Sequence, residues 1–192
     1  MAGEMRDRMV QEAMALLAKR GLQATSFSEV LAAACAPRGS LYHHFPQGKD
    51  QLVAAAVDRA GGVLTQALDT VAGAPAEAVV ARFFAIWRAV LTRSNFEAGC
   101  AVLAVVVATD SPELQSHGQA VFRSWKDRLA GLLQQGGLEA TQARQFAIVL
   151  IAAAEGAVVL CRAEQTLEPL EAVAGQMEEQ ARLLRAPQRK KG

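Results

Sequence analysis

The chain is short of several residues that usually announce an enzyme or a metal protein. Its 192 residues include three cysteines, three histidines and one tyrosine, and aromatics make up 5%. Cys35, Cys100 and Cys161 are odd in number, far apart and set among apolar neighbours, which fits reduced thiols rather than a disulfide framework. His43 and His44 are adjacent, so on a helix their side chains diverge, and no Cys or acid is spaced to complete a metal tetrahedron. No nucleophile–base pair, carboxylate dyad or phosphate-cradling loop occurs. An enzyme, a cofactor and a metal site are therefore not expected.

Charge of one sign is missing as well. Lys+Arg number 20 against 19 Asp+Glu, a formal net charge of +1, so the chain is no polycation that coats nucleic acid. Residues 1–60 carry seven basic against six acidic side chains, so any DNA contact must come from a local surface and from helix N-termini. The longest unbroken apolar run, 98–108, is too short to span a bilayer. The first residues, with Glu4, Arg6, Asp7 and Arg8, lack the apolar stretch of a signal peptide. A cytoplasmic protein without membrane contact is the expectation.

What is plentiful is apolar residues at helical spacing, 52% of the chain, with length enough to bury a core. Met9, Ala13, Leu16 and Leu17 stripe a first helix that Gly21 ends after Lys19 and Arg20. A long helix is expected over about 49–71. Others follow near 76–93, 97–108, 112–135, 141–164 and 167–185, separated by Asp110-Ser111-Pro112, Gly136-Gly137 and Thr166. Residues 102–107 are β-branched enough to pass for a strand, but no partner strand exists, so they read as helix. The expected fold class is all-α.

Residues 25–50, TSFSEVLAAACAPRGSLYHHFPQGKD, carry the most information. Ser26 and Glu29 form a capping-box signature, and Val30, Leu31 and Ala34 give the helix it opens an apolar face. Cys35-Ala36-Pro37 breaks that helix. A second short one runs from Arg38 to Phe45 and stops at Pro46. Leu41 and Phe45 face inward, which leaves Arg38, Ser40, Tyr42 and His43 outward, a face suited to phosphate oxygens and base edges.

The string from Arg38 to Phe45, followed by Lys49 and Leu52, resembles the DNA-binding domain of the TetR family of transcriptional repressors. The fuller APRGSLYHHFPQGKDQL is similar to the LmrA/YxaF-type branch, in which a Pro-x-Gly-Lys insertion follows the Phe. Cys35 departs from the glycine usual at that turn; if the backbone there is left-handed, a cysteine costs of order 1 kcal/mol. The resemblance implies an N-terminal three-helix head with a helix-turn-helix at 1–47. It implies a ligand-binding and dimerisation body at 48–186 that opens with a linker helix at 48–72. Residues 187–192 form a basic tail, expected to be solvated.

Roles at single positions follow from the resemblance. Thr25 would give its hydroxyl to a phosphate, Arg38 and Ser40 would reach the major groove, and Gly39 would let the backbone approach. Tyr42, His43 and His44 would touch phosphate and sugar, and Lys49 would hold a phosphate at the N-terminus of the linker helix. Tyr42 and His44 have a plainer reading as cover for the head's core.

In the body, Trp87, Phe96, Cys100, Leu103, Phe122 and Trp125 are the candidate wall of a cavity for a flat, lipophilic effector, with ordinary core as the plainer reading. Glu155 lies within an apolar run, where a carboxylate must be paired or at an edge, and it is read first as a subunit-interface residue. The resemblance implies that the last two helices pair across a homodimer, with Ala153, Gly156 and Ala157 permitting close approach. The function implied is a dimeric repressor on a pseudo-palindromic operator, released by a small effector. The rival is an all-helical small-molecule carrier with a vestigial motif.

Overall fold

The computed structural model describes residues 2–185, so the basic tail at 187–192 lies outside the described residues. Nine α-helices and no strand occur among them: α1 Ala2–Arg20, α2 Phe27–Ala33, α3 Ser40–His44, α4 Lys49–Asp69, α5 Ala76–Arg93, α6 Ala101–Val106, α7 Pro112–Gln135, α8 Ala140–Glu164 and α9 Glu168–Leu184. Residues 102–106 are helical and Val107 caps the helix, so the segment that could pass for a strand is not one.

Two helices are shorter than their sequence patterns. α3 starts at Ser40 because residues 37–40 close a turn, Ser40 N–H donating to Pro37 O at 3.0 Å. Arg38 therefore sits in that turn, ahead of the helix. α6 starts at Ala101 because Cys100 caps it, its sulfur accepting from Leu103 N–H at 3.3 Å. Gly99 N–H meanwhile turns away to donate to Ala18 O at 2.8 Å.

The chain forms two compact units, Met1–Val63 with Glu97–Arg123, and Leu64–Phe96 with Ser124–Gly192. The first holds the three head helices together with the first part of α4, α6 and the start of α7. Met9, Leu17, Val30, Leu41, Phe45 and Leu52 are buried in it. α1 ends at Gly21, whose φ of +79° favours glycine, and Gly21 N–H donates back to Leu17 O.

The second unit is built on α5, α8 and α9, with Phe83, Phe84, Leu91, Phe146, Leu150 and Leu170 buried. Arg88 on α5 grips Glu171 on α9 with both nitrogens, at 2.6 and 2.7 Å. That contact holds the Glu171 carboxyl below the usual carboxylate range. The pair is solvated, so it orients the helices more than it stabilises them. α5 runs out into two successive left-handed residues, Asn95 (φ +50°) and Phe96 (φ +62°).

By length and composition α8 is apolar enough to cross a membrane. Glu155 interrupts this apolar stretch, so no unbroken apolar run of that length occurs in it. Here α8 is instead a core helix on one side, with Phe146, Leu150, Ala154, Val158 and Cys161 buried.

Candidate DNA-binding surface

The entrance of α2 is built as its sequence requires. Ser26 Oγ accepts from Glu29 N–H at 3.3 Å while Glu29 Oε2 accepts from Ser26 N–H at 3.0 Å. The Ser26 backbone N–H, and after it the Ser26 hydroxyl, hold the Glu29 carboxyl below its ordinary range. The cap is thus complete above that range and is lost as pH falls through the lowered value.

Leu41 and Phe45 are buried beneath α3, and this pins the opposite face outward. Tyr42 is 68% exposed, a large aromatic with no role in the core. Arg38, Gly39 and His43 are exposed, and Ser40 and His44 are half-buried. The His43 and His44 rings stand edge to face with centroids 5.0 Å apart, at an interplanar angle of 68°. Between α2 and the turn before α3 lies an open groove of about 510 Å³. Ser28, Ala32, Cys35, Arg38 and Tyr42 are among the residues that line it. Ser28 and Ala32 were not singled out in the sequence, where nothing marks which α2 residues share a face with α3.

Two residues expected on phosphate are engaged within the protein. Thr25 is 2% exposed and donates its hydroxyl to Gly21 O at 2.7 Å. Lys49 is half-buried, and its ammonium donates to Leu22 O at 3.2 Å. Both carbonyls belong to the turn that follows α1, and Leu22 O also accepts from Thr25 N–H at 3.4 Å.

Cys35 has φ +51°, so the backbone at that turn is left-handed. The turn points its side chain outward, so Cys35 is exposed. Only Cys100 and Cys161 are the buried thiols that their neighbours suggested, and burial pushes the Cys161 thiol up.

The six residues of the expected effector wall are divided between the units: Cys100, Leu103 and Phe122 in the first, Trp87, Phe96 and Trp125 in the second. Trp87, Cys100 and Trp125 are buried, while Phe96, Leu103 and Phe122 are half-buried. Phe122 also lines an open cleft of about 470 Å³ with Val106, Pro112, Gln115, Ser116 and Gln119. Trp87 packs edge-on against Phe83, and among the described residues its indole N–H has no acceptor. Trp87→Phe should therefore cost less than about 1 kcal/mol, because removing an unsatisfied donor offsets part of the lost packing. Chemical denaturation checks this, and a loss of several kcal/mol would mean that the indole N–H is satisfied in solution.

On α8 the expected seam residues divide between faces. Glu155 and Ala157 are buried within the protomer, Ala153 is half-buried and Gly156 is exposed. Glu155 and Ala157 are thus not on the outer surface, because a helix turns about 100° per residue and their neighbour Gly156 faces out. The outward stripe is Ile148, Val149, Ala152, Gly156, Val159 and Leu160, at helical spacing. The sequence carried this signal, but the hydrophobicity of both faces of α8 concealed it.

A short exposed polar helix, braced by a capped partner and backed by buried Leu41 and Phe45, defines a helix-turn-helix DNA-binding protein. Residues 10–56 match the family model of bacterial regulatory proteins of the tetR family, and 75–176 match that of the LmrA/YxaF-like transcriptional regulator C-terminal domain. The chain belongs to the TetR family, in its LmrA/YxaF-like branch, and is a transcriptional regulator rather than an enzyme.

An uncharacterized HTH-type transcriptional regulator of Mycobacterium tuberculosis is 34% identical over 181 residues, covering 90% of this chain and 91% of the relative. The regulator LmrA of Bacillus subtilis is 26% identical, over 88% and 92% of the two chains. Among solved structures, a TetR regulator from Chloroflexus aurantiacus aligns with a TM-score of 0.77 at 27% identity, over 93% of this chain and 94% of that one. One from Legionella pneumophila shares the fold with a TM-score of 0.81 at 22% identity, over 91% and 96%.

Proposed function

We propose that this regulator is a cytoplasmic, ligand-responsive repressor that binds a pseudo-palindromic operator as a homodimer and is released by a small lipophilic effector. The observation that carries the reading is the outward face of Arg38, Ser40, Tyr42 and His43 over buried Leu41 and Phe45. Functionally the head is 1–47 and the body 48–186. Arg38 and Ser40 reach base edges, Gly39 admits the backbone, and Tyr42, His43 and His44 contact phosphate and sugar. Two such heads enter successive major grooves about 34–36 Å apart.

The exposed stripe of α8 is too apolar to be left in water and supports the dimer seam. The buried, unpaired Trp87 N–H supports an effector that presents a hydrogen-bond acceptor to it. An effector that favours the non-binding arrangement by about 1–3 kcal/mol weakens operator affinity roughly 5- to 150-fold.

Fluorescence anisotropy tests the reading, using DNA from upstream of the protein's own gene with excess random competitor and a range of salt. Tight binding that resists competitor, at two protomers per site, is expected. Weak binding that competitor and modest salt abolish, on this and on sequences enriched from a random pool, favours the carrier alternative. Arg38→Ala is expected to lose about 1–3 kcal/mol and to relax preference at one base position. An unchanged sequence profile would remove Arg38 from base reading.

A further inference from the structure

α3 has five residues, Ser40–His44, too few to hold a helix by their own hydrogen bonds, so what packs against them sets its orientation. Leu41 and the C-cap residue Phe45 are its buried anchors. Phe45 has no exposed surface, and the guanidinium carbon of Arg6, an exposed residue of α1, lies 5.2 Å from its ring centroid. A guanidinium within about 6 Å of an aromatic face is attracted by the ring, and its stem helps to keep water off it.

α1 also holds α2 at both ends. The N–H groups of Cys35 and Ala36 turn back to Ala32 O and Leu31 O, and Ala34 O takes its donor from Arg8 Nη1 at 3.4 Å. Ala34 is the C-cap of α2, where helix carbonyls lack intrahelical donors. At the other end Arg20 Nη1 meets Glu29 Oε1, in the first turn of α2, at 2.6 Å. Three arginines of one helix thus reach both ends of α2 and the C-terminal end of α3.

Arg6 and Arg8 precede 10–56, the segment that matches the family model. Their guanidinium groups are engaged within the protein, whereas Arg38 has no partner among the described residues. We propose that Arg6 and Arg8 are positioning residues for operator recognition, Arg6 fixing α3 through Phe45 and Arg8 fixing the turn before it through Ala34 O, and that neither is a phosphate ligand. The inference rests on the operator-binding reading above. A loosened α3 keeps its charges and its attraction for any phosphate backbone, but it loses the alignment that contacts to base edges need.

The full-length protein is used to enrich its own binding sequence from a random DNA pool. Affinity for that sequence and for random duplex is then measured over a range of salt. Arg6→Ala is expected to weaken binding to the enriched sequence about fivefold, with the salt slope and the affinity for random duplex unchanged. Arg6→Met, which keeps a polarizable cover on the ring without the charge, should return affinity to within about twofold of wild type. Arg8→Met is expected to cost about threefold, again at the wild-type slope. A slope lowered by about 0.9 per protomer in both Arg6 variants, with weaker binding to random duplex, would make Arg6 a phosphate ligand and overturn the proposal. Wild-type affinity in Arg6→Ala would overturn it equally.

Hydrogen exchange of the free protein gives a readout that needs no DNA. Phe45 N–H donates to Leu41 O at 2.7 Å. In Arg6→Ala this amide should exchange about fivefold faster, while the amides of α1 and α4 keep their wild-type rates. Uniform quickening through the head would reduce Arg6 to a contributor to stability, and an unchanged Phe45 amide would remove the brace; either result sinks the positioning role. Should the wild type enrich no sequence, the operator reading itself falls and the recognition role falls with it. Exchange at Phe45 still distinguishes that outcome from the absence of the brace.

Discussion

Val159→Arg is expected to leave the protein monomeric and to lower operator affinity by on the order of 100-fold or more. Val159 is 55% exposed toward the C-terminal end of an outward apolar stripe that also includes Ile148, Val149, Ala152, Gly156 and Leu160. In a two-fold seam each protomer presents the same patch, so the substitution buries two charges without partners. Removing them from the seam is cheaper than pairing the helices. A dimer engages two half-sites at once, and the second is bound at high effective concentration; a monomer forfeits that gain. Sedimentation at micromolar concentration reads the assembly, and anisotropy reads the affinity. A Val159→Arg protein that still sediments as a dimer would move the seam off this face of α8. Because Val159 is exposed in the protomer, the fold itself should survive and the melting curve of the monomer should stay cooperative.

Gly136→Ala is expected to destabilise the second unit by about 3 kcal/mol and to lower Tm by roughly 6–12 °C. Gly136 follows α7, and a Cβ built there would lie 2.5 Å from Ala76 N and 2.9 Å from both Ala74 O and Ala76 Cα. These are backbone atoms, so no side chain can rotate out of the way. The substitution must separate the α7–α8 turn from the start of α5, and it endangers the bond from Ala76 N–H to Gly136 O at 3.2 Å. Calorimetry provides the test. A Tm within 2 °C of wild type would mean that the turn relaxes at little cost. The neighbouring Gly137, at φ +106°, needs glycine for a different reason, its backbone conformation.

The boundaries of most helices were legible because they rest on local signals. α5 begins at Ala76 after Pro75, α7 begins at Pro112, and the capping box of Ser26 and Glu29 opens α2. Each is a matter of backbone donors within a few residues, which a linear pattern records. The outward face of α3 was legible for a similar reason, since Leu41 and Phe45 are four apart and leave Tyr42 and His43 on the other side. The destinations of polar side chains were not. Thr25 and Lys49 carry groups that suit a phosphate, and the sequence contains no sign that the turn after α1 lies beside them and offers the Gly21 and Leu22 carbonyls. Glu155 and Ala157 sit within a helix apolar nearly all round, where periodicity cannot tell the inner face from the outer.

The sequence by itself determined that this is an all-helical regulator of the TetR family, and it located the second helix of the helix-turn-helix and the residues beneath it. Capping, helical periodicity and a specific motif are properties of neighbouring residues. Only the tertiary structure decided that Cys35 faces solvent, that Lys49 and Thr25 donate to the turn after α1, and that the exposed apolar stripe of α8 runs through Gly156 and Val159. Those outcomes depend on which distant segments come to lie beside a given carbonyl or helix face. Pairings across 80 residues or so, such as Gly99 with Ala18 and Gln23 with Ala108, leave no trace in local pattern.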